Sequence, residues 1–194
     1  MNPLDDIKLS PSYLELFDYE GAVRSLARQN STKKHLTTGD LNESIILATM
    51  LHECESTFRI YVKDFEQDML NDVHNRFEST LNQFILNGGQ VIAVVDKFDI
   101  DNANNNRITS LLQQKLLIEP YNKKIHIFET NVPKTSGEKF YYSVGDNNMY
   151  WIEYDTERRH SQFCFNDNDV TSHLIEYHNE LIANSTKVEL ELSY

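Results

Sequence analysis

Only four prolines, six glycines and two cysteines occur in 194 residues, so the chain has few devices for kinking, tight turning or cross-linking. That scarcity excludes collagen-like and linker-type chains, and with 40% apolar and 11% aromatic residues the composition is that of a folded globular protein. Two cysteines, Cys54 and Cys164, cannot make a disulfide framework; without a secretory signal they read as reduced and buried. No apolar run approaches the roughly 20 residues needed to cross a bilayer. The opening MNPLDDIKLSPSYLELFDYEG also lacks the basic start and apolar stretch of a signal peptide. A cytoplasmic protein with no membrane partner is expected.

Positive charge is scarce too. Eighteen Lys and Arg against 30 Asp and Glu give a net charge of -12. Phosphate backbones repel such a surface, so broad nucleic-acid binding is expected to be unlikely. A small basic patch at Lys33, Lys34 and His35 is the local exception.

What is present is an alternation of strand and helix. The spacing of apolar residues predicts helices over 41–53, 71–87, 107–118 and 169–183, the first with Asp40 as N-cap and Glu43 three residues on. TFRIYV (57–62) alternates like a strand, while QVIAVV (90–95) is apolar throughout, as a strand covered on both faces should be. Further strands are expected over 124–128 and 161–165, and a hairpin over 140–144 and 149–154 turns through Gly145, Asp146, Asn147 and Asn148. Strand, helix, strand, helix, strand in that order implies parallel crossovers. The expected fold class is therefore α/β, with a mixed, mostly parallel sheet flanked by helices. Residues 1–40, with a helix over 17–29 and a loop over 30–39, are expected to be an N-terminal appendage to the domain at 41–194.

A helix leading into TFRIYVKDF, a helix ending in NGG, the strand QVIAVVD, a variable helix, a hairpin reaching Asp146, then FND and a last helix follow one another over 41–185. This order resembles one half of a phospholipase D-like protein. In that superfamily two copies of His-x-Lys-x-x-x-x-Asp meet at a two-fold axis; one His attacks phosphorus, the other protonates the leaving oxygen, and the lysines stabilise the phosphoryl charge. The resemblance matches the motif to KFYYSVGD, with Lys139 at the nucleophile's place, Tyr141 at the lysine's and Asp146 at the aspartate's. No His in the chain is followed two residues later by Lys. A protonated amine does not replace imidazole in phosphoryl transfer. The resemblance thus implies a degenerate site with no catalytic residue and no cofactor: a non-catalytic module of a bacterial type, acting on a protein partner or as a homodimer. A small-molecule or nucleotide sensor using the old cleft is a further alternative.

Three other constellations carry chemistry in principle. Asp96, Asp99 and Asp101 follow the central strand, where α/β proteins place ligands. They read as a solvated acidic loop, with a metal-dependent hydrolase or nuclease kept as the alternative. The hairpin concentrates Tyr142, Tyr150 and Trp151, which with Asn166 of CFND make a possible ligand or partner surface; sheet packing is the competing reading. His173 and His178, five apart, are turned about 140° from each other on a helix, which suits solvated or capping roles rather than a shared metal. There is no Gly-rich phosphate loop and no GxSxG.

Overall fold

The structure is a computed structural model that describes residues 13–66, 69–70, 74–98, 106–131 and 140–189. In chain order the elements are α1 (Tyr13–Arg28), β1 (His35–Thr38), α2 (Asp40–Glu53), β2 (Thr57–Val62), α3 (Arg76–Leu86), β3 (Gln90–Val95), α4 (Arg107–Leu116), β4 (Ile125–Thr130), β5 (Tyr141–Gly145), β6 (Met149–Asp155), β7 (His160–Cys164), α5 (Asn168–Ala183) and β8 (Ser185–Lys187). The strands form one sheet in the order β1-β7-β6-β5-β2-β3-β4-β8. It is an α/β fold with a mixed sheet. The expected parallel majority is corrected: β2, β3 and β4 run parallel, whereas the other five pairings are antiparallel. The reason is local. β5, β6 and β7 are joined by tight turns, which force antiparallel pairing, and both edges are closed by short strands running against their neighbours.

Side chains alternate across this sheet. Phe58 and Ile60 face the layer of α2, α3 and α4, with the Phe58 ring against Phe77 of α3. Arg59 and Tyr61 face α5, where Tyr142 meets Tyr177 and His178. α3 shows why these helices form: Phe77, Leu81, Phe84 and Ile85 are buried at helical spacing, and each such burial stabilises by about 1.5–3 kcal/mol. It ends at Gly88, whose φ of 90° suits glycine, with Gly89 N–H returning to the Phe84 carbonyl at 2.9 Å.

Several boundaries differ from expectation. His35–Thr38, expected as loop, pairs with β7, and Val23 and Ala27 of α1 enter the core, so the line at residue 40 does not separate an appendage from the sheet. The N-cap of α2 is Gly39 at φ 91°, not Asp40, which instead meets Arg159 at 3.3 Å. α3 starts at Arg76, after Asn75 in the left-handed region at φ 54°. β8, all polar, follows α5 and pairs with β4. Both cysteines are free and buried, and no helix among the described residues is long and apolar enough to cross a membrane.

Candidate functional site

The carboxyl ends of β2 and β3 and the start of β5 meet at one edge of the sheet, where open α/β sheets place ligands. Asp96 follows β3 there and accepts two phenolic hydrogen bonds, from Tyr61 of β2 at 3.0 Å and from Tyr141 of β5 at 3.1 Å. Burial, and then the Asp96 charge, push both phenols above their ordinary pKa, so they stay protonated donors. Two neutral phenols on one carboxylate supply neither a nucleophile nor a cation for phosphorus. Nearby, the Glu129 carboxylate accepts from Phe98 N–H at 3.0 Å, and Asn106 caps α4 while donating to the Phe65 carbonyl at 2.7 Å.

Asp146 lies past the opposite end of β5, roughly 17 Å from Tyr141 at about 3.4 Å per residue. Its carboxylate accepts from Glu55 N–H at 2.8 Å, Ser56 N–H at 2.9 Å, the Ser56 hydroxyl at 2.7 Å and Thr57 N–H at 3.0 Å. Burial pushes this carboxyl up, but those donors outweigh it and hold its pKa below the ordinary value. Asp146 therefore fixes the turn that feeds β2 and takes no part in the edge at Asp96.

No family model and no curated protein sequence matches the chain. Solved structures do. TrmBL2, an archaeal chromatin protein whose structure shows a novel mode of DNA binding, superposes with a TM-score of 0.55 and 13% identity over 90% of this chain and 64% of that one. Nuc from Salmonella typhimurium, a phospholipase D family member, gives 0.54 and 11% identity over 81% of this chain and 100% of that chain. NucT from Helicobacter pylori gives 0.52 and 10% over 80% and 99%. The fold is phospholipase D-like.

One expectation is overturned by these likenesses. A net charge of -12 argues against broad nucleic-acid binding, yet the chain superposes on a chromatin protein whose structure shows a novel mode of DNA binding. Net charge describes the far field, whereas phosphate contacts depend on local surface, so -12 excludes nothing here.

Within the phospholipase D-like fold the expected site residues are scattered. Tyr141 stands at the edge and Asp146 at the far end of β5; Lys139, Asp99 and Asp101 lie outside the described residues. Tyr142, Tyr150 and Trp151 are corrected as a surface: all three are buried, because α5 covers one face of the hairpin and α2 the other. Asn166 is half-buried, and Tyr154 is the hairpin aromatic that reaches solvent. His178 is corrected too. It is fully buried, its Nδ1 lies 3.0 Å from the Tyr142 hydroxyl, and burial with the Arg59 charge lowers its pKa to about 3. Tyr61 was missed, although its place at the carboxyl end of a strand was the available signal.

Proposed function

We propose that this chain is a non-catalytic phospholipase D-like module that acts by binding, with a protein as the partner. The observation that carries the reading is Tyr141. The resemblance puts it at the place of the family's lysine, and its hydroxyl donates to Asp96 at 3.1 Å. The missing His-x-Lys in the sequence agrees with this, since both halves of phosphoryl transfer, nucleophile and charge stabiliser, are replaced. For a partner surface, Leu36 on the edge strand β1 and Tyr154 on β6 are 61% and 50% exposed, on the face of the sheet that carries α5. An edge strand beside exposed apolar groups is a docking geometry for an extended peptide.

The test is hydrolysis. The purified chain, offered an activated phosphodiester, single-stranded and duplex DNA, and phospholipid vesicles, is expected to turn over none of them. Hydrolysis that disappears in Lys139→Ala or Tyr141→Phe would overturn the proposal.

A second reading is nucleic-acid binding without cleavage. It is favoured by the likeness to a DNA-binding chromatin protein and by Arg28, Lys33 and Lys34, exposed around the α1–β1 connection. A salt-dependent mobility shift weakened by Lys33→Ala and Arg28→Ala would select it over the protein-binding form.

A further inference from the structure

Glu43 on α2 and Glu153 on β6 are both fully buried, and they face each other across the layer between α2 and the β5–β7 hairpins. Glu43 Oε1 accepts from the Ser161 hydroxyl at 2.5 Å, and Glu153 Oε1 accepts from Arg159 at 2.9 Å. The second oxygen of each carboxyl has no hydrogen-bond partner among the described residues. Two more buried polar atoms on the same face of the sheet are in the same condition, Ser143 Oγ and Trp151 Nε1. Ser143 pairs with Trp151 across β5 and β6, and Glu153 follows Trp151 by two residues, so these side chains form one strip. Orphaned polar atoms in a dry core are costly singly, and four side by side call for a shared partner.

We propose that Glu43 and Glu153 form a buried proton-sharing pair, in which Glu43 Oε2 carries the proton and a water joins it to Glu153 Oε2, Trp151 Nε1 and Ser143 Oγ. The assignment of charge follows from the partners. Arg159 compensates Glu153 directly, and Asp40 competes for the same guanidinium from 3.3 Å. Glu43 accepts a hydrogen bond from the Ser161 hydroxyl alone among the described residues; Glu153 and Asp40 add to the burden of a negative charge there, and the Arg159 charge offsets part of it. Two ionised carboxylates beside one arginine cost more than one carboxylate and one acid. Burial pushes the Glu43 pKa up to about 8, opposed by Ser161 and reinforced by Glu153. Tyr141, which donates to Asp96, is the register partner of Glu153 on the neighbouring strand.

Trp151 is the lone tryptophan and reports on this site without ambiguity. Its emission, excited where tyrosine does not absorb, is expected to change with a midpoint near pH 8 in the folded protein and to stay flat in Glu43→Gln. Infrared spectra of the unaltered chain at neutral pH should show the carbonyl stretch of a protonated carboxylic acid. A flat titration from about pH 6 to about pH 9, an unchanged titration in Glu43→Gln, or no protonated-acid band would each overturn the proposal.

Discussion

Asp146→Asn removes one charge and one acceptor oxygen from a carboxylate that takes four hydrogen bonds from residues 55–57. Hydrogen bonds to a charged acceptor contribute about 1.5–3 kcal/mol each and neutral ones about 0.5–1.5. The Asn oxygen can keep the three donors on Oδ1, weakened, while its NH2 group faces Glu55 N–H and loses that bond. Water reaches Glu55 and Ser56, which discounts the sum to about 2–3 kcal/mol. Asp146 sits at φ 48°, a region Asn tolerates as well, so backbone strain does not enter the difference. The assay is urea unfolding at neutral pH, with the midpoint falling and the slope unchanged. The sign with pH is fixed by the lowered carboxyl. Its stabilisation is present above the unfolded value and is lost as pH falls through the folded value, so the gap between wild type and variant starts to narrow near about pH 4 and closes only below the folded value. A variant within about 0.5 kcal/mol of wild type, or a gap that persists in acid, would refute the anchoring role.

Tyr141→Phe removes one phenol from Asp96 and is expected to cost about 1 kcal/mol in the same assay. His178, with its pKa lowered to about 3, makes the unfolded chain take up a proton that the folded chain refuses; stability is expected to decline as pH falls from about 6.5, and His178→Phe to flatten that slope. Gly89→Ala places a Cβ 2.4 Å from the Phe84 ring and should lower stability by about 1–3 kcal/mol, read by thermal unfolding. Titration with Mg²⁺, Mn²⁺ or Ca²⁺ is expected to release no heat, since the Asp96 carboxylate is held by two phenols; heat abolished by Asp96→Asn would revive a metal site.

The elements that could be read from the sequence are those whose pattern and burial agree. β2 and β3 fall on their expected residues because TFRIYV alternates and QVIAVV is apolar on both faces. β1 and β8 escaped because HLTT and STK bury little: an edge strand is made by the neighbour that accepts it, not by its own composition. The hairpin was visible, but which face of it would be covered was not, since α5 arrives from the far end of the chain to bury Tyr142. Glu43 looked like half of a capping box. A carboxyl at that position between Asp40 and Leu47 satisfies a helix start and a buried face equally well, and only the packing of β7 against α2 decides.

The most direct test of the account is a phosphodiesterase assay on the purified chain, run beside Tyr141→Phe. The account predicts no turnover above the buffer blank for either protein. Turnover by the wild-type chain that falls in Tyr141→Phe would show that the Tyr141 and Asp96 edge performs chemistry, and would contradict it.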